Sequence, residues 1–414
     1  MAFFVRRLAW SDPELGTIDT PKLPMRIVAG FGSGLTRRRG DPAGIVWAIG
    51  DRGPNLKIKV AVKRFGLDHL KRSEAGSGAK VMPRPDLGPS IAELRVHGDR
   101  VELVREIRIR DMAGRPISGL PVPEGLHAEC EPALDLRGAR LEPDPGGADT
   151  EGIAALAGGG FWVGDEYGPS LLRVDGGGRV EERWVPAGHE RLFGDAGHPV
   201  YGALPAIAAK RQLNRGFEAI ALSPDENWLH LAFQSPLAHP DEAAHAQARH
   251  VRLWRLEAAS GEVQAQFLYP LDPPDSFRRD RAKGKLDWSD LKISELAADG
   301  ADDLLVLERA SETTKIYRVT LDPAATLPTQ HLDIATRPSV EELSVGGDLG
   351  LPVLGKSLIF SSDDAPEVAA DLEGMVILSA RDLLLINDND FGVEGAETSF
   401  WLVTFDEPVF RPPT

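Results

Sequence analysis

The 414 residues, 42% of them hydrophobic, can bury a large core, and 43 glycines with 32 prolines supply many tight turns. With 63 acidic against 47 basic residues the formal net charge is −16, which argues against nucleic acid or an anionic membrane surface as a partner. The single cysteine, Cys130, excludes an internal disulfide and a cysteine-built zinc cluster, and reads as a small buried or loop residue.

No stretch approaches the ~20 apolar residues that cross a bilayer. The opening MAFFVRRLAW places its basic pair after a short apolar run, the reverse of a signal peptide. The expected compartment is periplasmic or extracellular if a leader has been removed, and cytoplasmic otherwise.

In chain order, residues 3–10 read as a strand. GFGSGLTRRRGDPAGIVWAIGDRGPN then forms a hairpin with Gly34 at its entrance and Asp51-Arg52 at its exit. Residues 57–89 are basic, Gly-rich and without period, as expected of a loop or cap over one mouth. IAELRV and VELVREIRIR form a second hairpin, whereas 110–148 is Pro- and Gly-rich and holds either a further blade or a long loop.

The stretch 149–168, DTEGIAALAGGGFWVGDEYG, is the clearest hairpin: an apolar strand, a Gly158-Gly159-Gly160 turn, and a second strand. Both ends of a hairpin lie at one sheet edge, so Asp149 and Glu151 meet Asp165 and Glu166. SLLRVDGGGRVEERWVP completes that unit. Residues 188–210, with His189, His198 and Tyr201, are expected to overhang the channel. The loop 235–250, with His239, His245 and His250, reads as a surface loop more readily than as a metal site.

The same pattern recurs. NRGFEAIALSPDENWLHLAFQ has Glu218 at its entrance and Gln234 at its exit; KISELAADGADDLLVLER has Glu295, then Glu308-Arg309; DLEGMVILSARDLLLINDND has Glu373, then Asn387 to Asp390. Entrance and exit are roughly 13 to 16 residues apart, which fits two five-residue strands and a turn. Residues 320–354 read as loop. Five hairpins repeating in this way predict an all-β fold: one β-propeller domain over 1–414, six blades preferred and five to seven allowed, closed by pairing of the N- and C-terminal strands.

First strands of propeller blades line the channel, so the entrance acids would converge on one mouth. Glu151, Glu218 and Glu373, with Asp165 and Asp388, are candidate ligands for a hard divalent cation; the alternative is a structural role at the inter-blade turns. Glu295, in KISE rather than EG, is the weakest member. Of Asp165 and Glu166, one would be a ligand and the other a general base, unless a salt bridge holds them. Arg52 and Arg309 suit a phosphoryl or carboxyl oxygen, or pair with Asp51 and Glu308. The run 387–390 superficially resembles an EF-hand loop but lacks its Gly and Glu spacing, and reads as a strand exit with Asx turns. No GxSxG elbow is present.

DTEG with WVGDEYG, NRGFEAIALSPD, LLVLER with KIYRV, and EGMVIL with INDNDFG resemble the family described as having esterase-like activity of phytase, from about residue 30 to about residue 392. The resemblance implies a phytase-like propeller that hydrolyses a small-molecule ester, phosphoric esters preferred. It also implies a divalent metal: calcium first, with manganese or zinc as in related propeller phosphotriesterases. The alternative is a non-catalytic propeller whose acidic mouth binds calcium or a small ligand.

Overall fold

The computed structural model describes residues 2–73, 75–76, 78–125, 131–345 and 349–412; Cys130 lies outside them. Among the described residues, five large sheets carry the architecture. Blade 1 comprises Gly34–Thr36, Ile45–Ile49, Ser90–His97 and Arg100–Arg108, and blade 2 Thr150–Ala155, Phe161–Asp165, Ser170–Val174 and Val180–Pro186. Blade 3 comprises Ala219–Leu222, Trp228–Ala232, His250–Glu257 and Val263–Pro270, and blade 4 Lys292–Ala298, Asp303–Arg309, Thr314–Thr320 and Lys356–Ser361. Blade 5 takes Leu372–Ile377, Asp382–Asn387 and Phe400–Phe405 from one end of the chain and Phe3–Leu8 from the other. This last strand pairs antiparallel from Phe3↔Phe405 to Leu8↔Phe400 and covers an edge that would otherwise be open. The chain is an all-β propeller closed by its termini.

The first strand of each blade lies against that of the next, and the first strand of blade 5 returns to that of blade 1. Aromatic side chains fill the gaps between blades. Trp47 of blade 1 meets Phe161 of blade 2 edge-on at 5.0 Å, and Trp162 and Trp254 are fully buried. Burial of each such ring contributes roughly 4 to 6 kcal/mol before entropy.

The described residues of 110–148 form no sixth blade. They contribute Ala133–Leu134, which joins Leu56–Lys57 and Lys80–Val81 in a small three-stranded sheet. Residues 57–89 do not remain irregular, since Ile58–Phe65 is a helix ended by Gly66 at φ 75°. The β-branched Ile58, Val60 and Val62 and the shortness of the helix hid its period, so the stretch read as a loop or cap. The stretch 188–210 does not overhang the channel: Val200–Leu204 adds a parallel fifth strand to the outer edge of blade 2. The stretch 235–250 is not a surface loop either. It carries the helix Glu242–Gln247 and buries His239 and His245. Within 320–354, Ser339 caps the short helix Val340–Leu343, and the buried Glu341 accepts Arg252 Nε at 2.7 Å.

Candidate active site at the acidic mouth

The hairpin registers decide which side chains reach the channel. In blades 2, 4 and 5 a β-bulge opens the first strand, and the residue it displaces is Glu151, Ser294 or Glu373. Glu218 immediately precedes the paired Ala219 in blade 3 and takes the same place. Pairing then runs Gly34↔Ile49, Gly152↔Gly164, Ala219↔Ala232, Glu295↔Leu307 and Gly374↔Ile386. Two residues past those partners stand Asp51, Glu166, Gln234, Arg309 and Asp388. Side chains alternate along a strand, so these five share one side and Asp165, Glu308 and Asn387 take the other.

Contacts agree with that division. Gln234 Nε2 donates to Glu166 Oε1 at 2.7 Å and also to Glu218. Arg309 donates from Nε to Ser294 Oγ at 2.7 Å, from Nη1 to Asp371 at 2.9 Å, and from Nη2 to Glu373, with Glu218 at 3.8 Å. One exit cation thus ties together the entrances of blades 3, 4 and 5. Arg52 lies 2.8 Å from Glu131 and 3.2 Å from Asp149, and donates to Asn214 Oδ1 at 3.2 Å.

The remaining acids are unbalanced. Asp51, Asp149 and Glu151 each offer a carboxylate oxygen within 4.8 Å of the others, all buried. Neither oxygen of Asp149 receives a hydrogen bond, and neither does Asp388 Oδ1. Burial and then Asp149 hold the Asp51 carboxyl well above the usual carboxylate range. Glu151 is likewise raised, by burial and then by Asp51, Glu166 and Glu373. Glu166 rises through burial, Asp149 and Glu218, against Lys292 and Arg52. Apposed buried carboxyls stay together only by sharing protons or a cation, and an oxygen-only donor set suits a hard divalent ion. On that test the residues fit the divalent metal that the family resemblance implies.

Residues 26–391 match the phytase-like family described as esterase-like activity of phytase. The chain belongs to this family. An uncharacterized secreted protein of Arthroderma benhamiae is 24% identical over 331 residues, or 71% of this chain, which spans 61% of that relative's length. Virginiamycin B lyase from Staphylococcus aureus superposes with TM-score 0.34 at 11% identity, covering 98% of this chain and 100% of that one. The β-propeller domain of Myceliophteria thermophila Cps50 (Swd1) gives 0.33 at 12% identity, covering 94% and 99%.

Within this phytase-like chain, Glu151, Glu166, Glu218, Glu373 and Asp388 interact across the mouth, and Arg52 and Arg309 stand among them. Asp165 does not join them. Its carboxylate, fully buried, accepts from Ser170 Oγ at 2.9 Å, from Gly168 N at 3.1 Å and from Arg183. Glu308 is absent as well, held by Tyr269 Oη at 2.7 Å and Lys356 Nζ at 2.6 Å, so Arg309 pairs elsewhere.

Glu295 occupies the place that Gly152 and Gly374 take in their blades. Its carboxylate crosses to Leu35 N at 2.9 Å, and a Cβ on Gly34 would lie 3.3 Å from it. At the 387–390 exit, Asp388 accepts from Asp390 N and Asn389 from Phe391 N, which makes the Asx turns real.

Asp51 and Lys292 are the members that sequence reasoning did not single out. The side chain of partly buried Lys292 makes no hydrogen bond or ion pair among the described residues, yet acts electrostatically on Glu166, Glu373 and Asp390. Its position directly before the ISE of blade 4 was the available signal. Among the described residues no helix is long and apolar enough to cross a membrane.

Proposed function

We propose that this phytase-like chain is a metal-dependent hydrolase of small-molecule esters, phosphoric esters first, working at the acidic mouth. The observation that carries this reading is the buried trio Asp51, Asp149 and Glu151, in which Asp51 and Asp149 share one guanidinium, Arg52, that is also taken by Glu131. These three would hold the divalent cation, calcium ahead of manganese or zinc because every donor is a hard oxygen. When bound, the cation supplies Lewis-acid polarisation of an ester oxygen.

The chain's own residues do the rest. Lys292, without a fixed partner, meets an incoming phosphoryl group. Arg52 and Arg309 are committed to carboxylates and keep the acids in register. Burial works against the charge on Arg52, but Asp149, Glu131, Asp51 and Glu166 outweigh it and hold the guanidinium above its ordinary value. Glu166 keeps Oε1 on Gln234 Nε2, which leaves Oε2 to accept a proton. The secreted relative supports an exported location for this chain.

The test is turnover of p-nitrophenyl phosphate and p-nitrophenyl acetate with calcium, manganese or zinc. The expected result is metal-stimulated phosphate ester turnover that Glu166→Gln and Asp149→Asn abolish. Turnover of the acetate alone would overturn the substrate class. No turnover, with metal still raising the melting temperature, would leave a non-catalytic cation-binding propeller.

A further inference from the structure

The channel has a second mouth. First strands enter at the acidic end and leave at the opposite one, where a cavity of about 480 Å³ lies among their final residues. That volume is within the roughly 300 to 1,000 Å³ of small-molecule sites. Leu35, Ala155, Ile220, Leu222, Leu296 and Met375 give it apolar walls. The buried Glu295 carboxylate, fixed to Leu35 N and Leu296 N, stands between this cavity and the acids of the other mouth.

Among the described residues the charged side chains around the cavity are held by partners, with one exception. Asp225 accepts from Ser223 Oγ at 2.6 Å and Asn227 Nδ2 at 2.7 Å; Glu226 accepts from Ala157 N at 2.7 Å; Asp299 accepts from Arg318 at 2.6 Å and Arg411 N at 2.7 Å. Arg38 donates to Leu156 O at 3.0 Å and lies over Trp47, and Arg39 donates to Pro224 O at 2.9 Å. The Arg37 guanidinium makes no hydrogen bond or ion pair among the described residues, and its Nε is buried without an acceptor. Asp41, the carboxylate that acts on it electrostatically, is turned to Trp47 Nε1 at 2.8 Å. A buried guanidinium donor without an acceptor is costly, and an anion would remove that cost.

We propose that this second mouth is a binding site for an amphiphilic monoanion, a carboxylate on a hydrocarbon body, with Arg37 taking the carboxylate and the strand ends enclosing the chain. The apolar walls select the hydrocarbon, and Arg37 selects the charge. The site is separate from the acidic mouth and does not depend on ester hydrolysis there.

Calorimetric titration with decanoate and decan-1-ol tests this on the whole chain. The expected result is saturable 1:1 binding of decanoate, about tenfold or more tighter than decanol, as one charge-assisted contact would give. Arg37→Gln should bring decanoate down to the decanol level and leave decanol unchanged. Because the Arg37 side chain holds nothing else and its buried Nε is uncompensated, this variant should melt at or above the parent temperature. Ala301→Trp, at an exposed part of the lining, should block both probes. Equal affinity for the two probes, decanoate binding indifferent to Arg37→Gln, or no saturable binding would each overturn the proposal. Hydrolysis at the other mouth should be unaffected by either variant.

Discussion

Gln234 Nε2 stands 2.7 Å from Glu166 Oε1 and, through the same nitrogen, also serves Glu218, so one neutral amide separates two buried carboxylates from adjacent blades. Gln234→Leu keeps the volume and removes both donors. It should destabilise the metal-free protein by about 1 to 3 kcal/mol, the cost of leaving buried acceptors unmade. Gln234→Glu should cost more, since it adds a third carboxylate. Urea midpoints at pH 7 measure both, and an unchanged midpoint for Gln234→Leu would show that the bridge is idle.

Arg309 calls for a double-mutant cycle. Its guanidinium faces Glu373, Asp371 and Glu218, and these outweigh its burial to hold its pKa above the ordinary value. Arg309→Met strands those acids and should cost about 3 to 5 kcal/mol. Combining it with Glu373→Gln should recover part of that loss, because one stranded charge is then gone. Strict additivity of the two changes in chemical denaturation would deny the coupling.

The hairpins were legible because turn residues and entrance acids recur at a steady interval, and the terminal closure because the last repeat lacked an outer strand. The face of each exit residue was not legible. Asp165 and Glu166 are adjacent, and only the register fixed by the Thr150/Gly152 bulge sends Glu166 to the channel and Asp165 to Arg183. The same one-residue shift makes Ser294 the counterpart of Glu151, while Glu295 fills space left by Gly34. Asp51 was overlooked as a ligand because its partners, Asp149 and Glu151, lie in the next blade about a hundred residues away.

The acids set a pH dependence with a definite sign. Asp51, Glu151, Glu166 and Glu373 are raised well above their ordinary values, first by burial, and Asp388 is pushed up to about 7 by burial and then Asp390. The folded state therefore keeps protons that the unfolded state has already released. Stability is full below the unfolded values and is lost as pH rises through the folded ones, by about 1.4 kcal/mol per pH unit for each extra proton. His198 and His230, lowered to about 4 and about 3 first by burial, act in the opposite direction but only below their ordinary value near 6.5. Between pH 6.5 and 8.5 the carboxylates act without them. The metal-free melting temperature should fall across that window, less steeply in Asp388→Asn. A flat or rising profile contradicts the assigned protonation.

The remaining prediction separates two placements of the cation. Sequence symmetry pointed to Glu151, Glu218 and Glu373 around the axis, but Glu373 is matched by Arg309 and Glu218 by Gln234. Asp149 accepts no hydrogen bond and shares its one cation, Arg52, with Glu131, and it stands with Asp51 and Glu151. Asp149→Asn removes one of the crowded charges with little change of shape and leaves Arg52 its closer partner, Glu131 at 2.8 Å, so the metal-free fold should melt at or above the parent temperature. Calcium at a hundredfold its dissociation constant adds about 2.7 kcal/mol to a protein that binds it, and this increment should vanish in Asp149→Asn. Glu373→Gln should do the reverse: it deprives Arg309 of its partner and lowers metal-free stability, yet keeps most of the calcium increment. Melting curves of both variants with and without calcium decide the matter. If Glu373→Gln loses the response and Asp149→Asn retains it, the cation belongs on the channel axis and the trio is not its site.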